Sequence, residues 1–187
     1  MKSYAQEAEN LRLLFIAGIA SVDDIVAWAD RTISKLSEYD DDLVKISLGA
    51  DLPRDEMDGR LRLVSEGANH LESVRKLLGR MHRTLLTDRS RAGGFGRTMW
   101  DVYGEFVLEL PRELGFMDRF EEPVDMESPG WGSFVNELTA LTAPFDRTTP
   151  VPTPPLPASR PSGSGPSSKK VKIMERLRRF LRGGRKR

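Results

Sequence analysis

The strongest constraint on the fold is a run of apolar residues spaced for one face of an α-helix. Leu71, Val74, Leu78, Met81 and Leu85 follow one another at intervals of three, four, three and four residues. With 3.6 residues per turn, this spacing puts all five side chains on one side of a helix, whereas a strand would alternate them between two faces. The stretch therefore predicts a helix with a buried apolar stripe.

Other parts of the chain carry the same kind of pattern. No pair of alternating strands joined by a hairpin turn is present, and the strand-like tetrapeptide at 107–110 has no partner. The sequence predicts an all-α fold, an irregular bundle of about six or seven helices. Besides the run above, the predicted helical segments are 4–18, 21–36, 40–48, 53–64, 97–109 and 131–143.

Several helix boundaries are marked by the residue types that favour them. Gly18 is a stop signal for the first helix, and Ser21 is an N-cap for the second. Pro53 suits the start of the fourth helix, and Ser128 or a neighbour is expected to cap the last one. The glycine-rich stretch 93–96 predicts a turn that separates two helices.

The composition changes abruptly near residue 146. Residues 146–168 hold seven of the twelve prolines, together with many Ser and Gly residues and almost no large apolar side chain. Such a segment cannot bury enough surface to offset the entropy lost on ordering. We therefore predict a helical bundle domain over 1–145, a disordered linker over 146–168 and a separate tail over 169–187.

The tail is strongly basic, and the rest of the chain is acidic. Residues 169–187 contain ten Lys/Arg and one acid, a local charge of +9. Residues 1–168 contain 19 Lys/Arg and 27 Asp/Glu, a charge of −8, so the total of +1 hides two opposite parts. A tail of this kind is typical of contact with a polyanion.

The tail is also amphipathic when it is placed on a helix. Five large apolar residues share one face, and the cations line the flanks and the back. This is the pattern of a helix that lies in the membrane interface, with its cations on anionic lipid. The residues predicted to contact the membrane or another polyanion are Lys169, Lys170, Lys172, Ile173, Met174, Arg176, Leu177, Arg178, Arg179, Phe180, Leu181, Arg182, Arg185, Lys186 and Arg187.

Other partners for the tail stay open at the level of sequence. Nucleic acid would attract the cations through its phosphates, but it does not require the apolar face, and the tail has only Phe180 for base stacking. A groove on another protein, or the chain's own acidic body, is a further alternative.

No pattern in the chain predicts catalysis, a cofactor or a metal. The chain has no cysteine, which excludes disulfides and thiolate metal sites. His70 and His82 are twelve residues apart, not the four that put two ligands on one helix face. Asp40, Asp41 and Asp42 are interpreted as the acidic start of a helix rather than a cation site. Gly93, Gly94 and Gly96 match neither phosphate-loop motif.

Three segments resemble a group of small uncharacterised bacterial helical proteins: 11–36 (LRLLFIAGIASVDDIVAWADRTISKL), 77–86 (LLGRMHRTLL) and 131–145 (WGSFVNELTALTAPF). The apolar helix, glycine turn and acidic second helix also resemble, more faintly, the helical immunity proteins that neutralise bacteriocins and toxins. The resemblance implies a binding module rather than an enzyme, and it assigns no functional residue.

Together these patterns predict a bacterial, non-catalytic protein-interaction module whose tail docks on an anionic membrane. The alternatives are a nucleic-acid-associated protein and an immunity-type protein whose acidic body binds a basic toxin. An unidentified protein is the expected partner of the body, and no small-molecule substrate is inferred. The start of the chain lacks the order of a signal peptide, and no stretch approaches the roughly 20 apolar residues of a membrane span. We expect a cytoplasmic location, peripheral to the inner face of the membrane.

Overall fold

A computed structural model describes residues 2–38, 40–121, 124 and 126–147. Within them the chain forms no strand, which confirms the predicted all-α class. The α-helices of the described residues are α1 (Ala5–Ile16), α2 (Val22–Ile33), α3 (Asp41–Ser47), α4 (Arg54–Val64), α5 (His70–Thr87), α6 (Ala92–Phe106) and α7 (Trp131–Thr142). Short 3-10 helical segments cover Arg89–Arg91, Arg112–Phe120 and Ala143–Arg147.

The end of α1 and the start of α2 lie at Gly18 and Ser21, where the sequence predicted them. Gly18 has φ of +66°, a conformation that favours glycine, and its N–H donates to the carbonyl of Phe15. The N–H of Ile19 reaches back to the carbonyl of Leu14, which completes a Schellman motif. Ser21 then begins α2 with a capping box that it shares with Asp24.

One hydrophobic core, here called the N-terminal core, lies between α1, α2, α3 and α4. It forms because each of these helices turns an apolar stripe toward the others, as the predicted Met57, Leu61 and Val64 of α4 do. Its larger members are Tyr4, Phe15, Ile25, Trp28, Leu43, Ile46, Met57, Leu61 and Val64.

A second core, here called the central core, is built mainly on α5, α6 and α7. Val74, Leu78, Met81 and Leu85 of the predicted stripe are all buried in it, and Leu71 packs at its edge. Helix α1 also contributes to this core through Leu13. Because α1 contributes to both cores, it is the element that the two halves of the bundle share.

The prediction of a turn at Gly93–Gly96 is wrong. These glycines lie in the first turns of α6, and the chain turns earlier, in the 3-10 segment Arg89–Arg91 that the side chain of Asp88 caps. A Cβ atom on Gly96 would lie 2.9 Å from the ring of Phe134, so this glycine allows α6 and α7 to pack closely. Packing between helices has overridden the weak helix propensity of glycine.

Two features near the end of α6 differ from the predicted pattern. The helix ends at Phe106 rather than at residue 109, and a turn follows it. The 3-10 segment Arg112–Phe120 was not predicted, although Leu114, Met117 and Phe120 recur at its three-residue period and are buried. In the part of the chain that the structure describes, no helix is both long and apolar enough to cross a bilayer.

Candidate functional site

In the described part of the chain, two side chains of opposite charge are buried next to each other on α1. Glu9 and Arg12 are one helical turn apart, and their exposed fractions are 0% and 1%. Nε and Nη2 of Arg12 donate to the two carboxylate oxygens of Glu9, both at 2.9 Å. This two-pronged geometry is the strongest that a guanidinium and a carboxylate can form.

Further charged groups join this pair from other helices. Nη2 of Arg12 donates to Glu105 on α6 at 2.9 Å, and Nη1 lies 3.3 Å from Asp58 on α4. Arg62 on α4 approaches Glu105 at 3.3 Å. We call Glu9, Arg12, Asp58, Arg62, His70 and Glu105 the Arg12 cluster. It connects α1 to α4, α5 and α6 through ionic contacts.

His70 contributes both a polar contact and a ring to the Arg12 cluster. Its Nδ1 lies 3.2 Å from Glu9, and its imidazole stacks on Phe106 with ring centroids 4.4 Å apart. The guanidinium of Arg12 lies 5.7 Å from the centre of the same Phe106 ring. The Phe106 ring therefore contacts both the imidazole of His70 and the guanidinium of Arg12, and it covers one side of the cluster.

The protonation state of the central pair is fixed by its contacts. Burial raises the pKa of Glu9. The hydrogen bonds and charge of Arg12, together with hydrogen bonds from Ser65 and His70, lower this pKa by more, so it lies below its usual range. Burial lowers the pKa of Arg12, and Glu9 and Glu105 raise it by more. Both groups stay charged, so the pair holds helices together and is not poised for proton transfer.

Asp40 has the structural role that the acidic run predicted. It is the N-cap of α3, and its Oδ1 accepts from the N–H groups of Asp42 and Leu43. Its Oδ2 accepts a 2.6 Å bond from the hydroxyl of Tyr4 and pairs with Lys2 at 2.8 Å. Burial raises the pKa of Asp40, but these partners bring it down to about 2.

The two histidines do not form a common site. His70 belongs to the Arg12 cluster, whereas Nδ1 of His82 lies 3.1 Å from the carbonyl oxygen of Thr139 on α7. Among the residues that the structure describes, no group of three or more histidines and acids is placed to hold a metal ion.

No sequence pattern singled out the Arg12 cluster, because residues 4–18 predicted only a helix. In the structure Glu9 and Arg12 of this helix are buried, whereas Leu11 and Leu14 are only half-buried. The signal that was present is an acid and a base one helical turn apart in α1. The contact of Arg12 with Glu105, far along the chain, left no sequence signal.

The predicted contact residues of the tail, Lys169 to Arg187, lie outside the described residues. Comparisons of the chain with protein-family models, with curated proteins and with solved structures found no match.

Proposed function

We propose that this protein is a non-catalytic interaction module whose basic, amphipathic tail docks on an anionic membrane surface. The observation that carries the proposal is the division of charge along the chain, −8 over residues 1–168 and +9 over residues 169–187. The apolar residues spaced through the tail favour a lipid surface over a bare polyanion, since phosphates alone do not need them.

The energetics of the tail are sufficient for membrane binding. Each Lys or Arg near an anionic leaflet contributes about 1 kcal/mol, so half of the ten cations would supply roughly 5 kcal/mol. Ile173, Leu177 and Phe180 add the burial of apolar surface, about 1.5 to 3 kcal/mol each if fully buried. An extended linker of Pro, Ser and Gly residues would let the tail act on the order of 70 Å from the body.

The acidic surface of the body supports a role in protein binding. Residues 21–58 contain eleven acids and four bases. Among the residues that the structure describes, the exposed Glu38, Asp41, Asp51 and Asp55 have no ion-pair partner. Uncompensated charge of one sign speeds association with a partner of the opposite sign, so a basic protein surface is the expected partner.

The test compares two variants of the full chain in vesicle sedimentation. The apolar variant carries Ile173→Ser, Leu177→Ser and Phe180→Ser and keeps every charge, whereas the charge variant carries Arg176→Gln, Arg178→Gln and Arg179→Gln. We expect the parent chain to sediment with vesicles that contain phosphatidylglycerol and not with pure phosphatidylcholine. Each variant should bind at least about tenfold more weakly, a loss of 1.4 kcal/mol. An apolar variant that binds as tightly as the parent chain would contradict membrane docking.

Nucleic-acid binding is the second candidate, favoured by the ten cations within nineteen residues. The same two variants separate it from the first. Binding of duplex DNA should weaken in the charge variant and fall steeply with salt, but the serine substitutions should leave it unchanged. If the parent chain binds DNA at physiological salt and ignores anionic vesicles, the nucleic-acid function replaces the membrane one.

A further inference from the structure

The end of α1 and the first turns of α4 and α6 border an open cleft of about 330 Å³. Its volume lies at the lower end of the range seen for small-molecule sites. Apolar atoms and polar groups both line it: Ile16 and Ala17 contribute apolar atoms, while Ser90 and Thr98 contribute hydroxyl oxygens whose hydrogens bond Asp88 and the carbonyl of Gly94. Two arginines, Arg54 and Arg91, complete the lining.

Each of these arginines is held in position from two sides. Nη2 of Arg54 donates to the carbonyls of Phe15 and Ile16 at 2.9 and 2.8 Å, and its guanidinium lies 5.3 Å from the centre of the Phe15 ring. Nη2 of Arg91 donates to the carbonyl of Gly18, and its guanidinium lies 5.7 Å from the centre of the Phe95 ring. Ordered guanidinium groups lose less entropy when they bind a ligand.

Neither arginine forms an ion pair within the described part of the chain, although the carboxylate of Asp88 accepts a hydrogen bond from Ser90 in the same lining. Within the described ranges, the Nε and Nη1 donors of Arg54 and Arg91 are without a hydrogen bond. The carboxyl end of α1 contributes only about half a negative charge, against two full positive charges. The cleft is therefore a positive site on an otherwise acidic body.

We propose that this cleft binds a small organic anion, with a phosphate or carboxylate on the two guanidinium groups and an apolar portion against Ile16. The Nη2 atoms of both arginines bond carbonyls, so an oxyanion would accept hydrogen bonds from their Nε and Nη1 groups. No sequence pattern indicates this ligand, because the residues of the cleft come from three separate segments.

The test follows backbone amide signals of the full chain by NMR during titration with phenyl phosphate, benzoate, inorganic phosphate and phenol. Phenyl phosphate, benzoate or both should shift the amides of Ser90, Gly94, Phe95 and Thr98 saturably, and phenol should bind at least about tenfold more weakly because it lacks the anion. The two anions distinguish a phosphate from a carboxylate ligand. Because the signals are assigned to residues, binding to the cationic tail is seen separately. Absence of saturable shifts at the cleft with both aromatic anions overturns the proposal.

A blocking variant provides the control for the location of the site. Gly94 lines the cleft, and a Cβ there meets no other side chain or distant backbone within 4 Å, so Gly94→Leu should fold and fill the cleft. Gly59→Leu is the matched control on α4, where a Cβ is equally unobstructed. Binding should be lost in the first variant and kept in the second. Equal binding by both glycine variants would overturn the proposal. A separate double variant, Arg54→Gln with Arg91→Gln, should weaken binding while leaving both glycines in place.

Discussion

At the scale of single residues, the feature that shapes this molecule is an arginine with 1% of its surface exposed. Burying a charge costs several kcal/mol, and only paired, well-oriented partners repay this cost. Arg12 finds them in Glu9, Glu105 and Asp58, which come from three different helices. The contacts of Arg12 with Asp58 and Glu105 therefore mainly fix the position of α1 against α4 and α6. Their net contribution to stability is small, because the cost of burying the charge offsets it.

Removing the charge of Arg12 should show how much the burial of Glu9 depends on Arg12. Arg12→Met leaves Glu9 buried without its main partner, and we expect the free energy of unfolding to fall by about 3 to 5 kcal/mol. Adding Glu9→Leu should recover a large part of that loss, since the double variant buries no isolated charge. Urea unfolding measures both values, with the exposed Arg31→Met as control, expected within about 0.5 kcal/mol of the parent. A loss below 1 kcal/mol in Arg12→Met would contradict this account.

Asp40 should make the stability depend on pH in acid. Its pKa falls from 3.8 to about 2 on folding, so its contribution is present above pH 4 and is lost as the pH falls through 2. Asp40→Asn keeps an N-cap acceptor but removes the charge, and because the site is partly exposed we expect it to cost about 1 kcal/mol at pH 7. In thermal unfolding, the difference between the two proteins should shrink as the pH falls below 4 and be lost below pH 2. A difference that is constant with pH would mean that the charge of Asp40 does not contribute.

At the scale of elements, the glycines of the helices have opposite roles that their sequence contexts do not reveal. Gly59 and Gly94 would carry a Cβ in open space. Gly79 would not, because a Cβ there would lie 2.5 Å from the carbonyl oxygen of Phe145. The close approach of α5 to the segment Ala143–Arg147 thus requires a glycine at position 79.

Alanine substitutions should separate these two kinds of glycine. Gly59→Ala should raise the free energy of unfolding by about 0.5 to 1 kcal/mol, because alanine is the better helix former and nothing obstructs its methyl group. Gly79→Ala should lower it by about 1 to 3 kcal/mol, because Phe145 must move away. Chemical denaturation measures both. Stabilisation by Gly79→Ala would show that the final 3-10 segment does not pack on α5.

At the scale of the whole molecule, α1 contributes apolar residues to the N-terminal core and to the central core. Glu9 and Arg12 lie on the buried part of this helix, so their charges must be paired internally, whereas Glu7 of the same helix is exposed. The arrangement also means that a change in α1 affects both halves of the bundle.

The predicted division of the chain at the proline-rich segment leads to a test on the entire protein. A chain that ends at Thr149 lacks most of the predicted linker and all of the tail. Since these segments are too poor in apolar residues or too charged to build a core, the shortened chain should keep its free energy of unfolding within about 0.5 kcal/mol. Circular dichroism during urea unfolding measures this. A loss of several kcal/mol would show that the C-terminal residues are part of the folded domain.

Sequence patterns were enough to predict the all-α class, the stripe of α5, the end of α1 at Gly18, the Ser21 cap of α2 and the acidic start of α3. These features depend on residues within a few positions of one another, so local physical chemistry decides them. Three features came from tertiary contacts instead: Gly93, Gly94 and Gly96 lie in the first turns of α6, Arg12 is buried, and Arg54 and Arg91 border one cleft. Each of these depends on a partner distant in the chain, Phe134 for Gly96 and Glu105 for Arg12, and no pattern of spacing records such a contact.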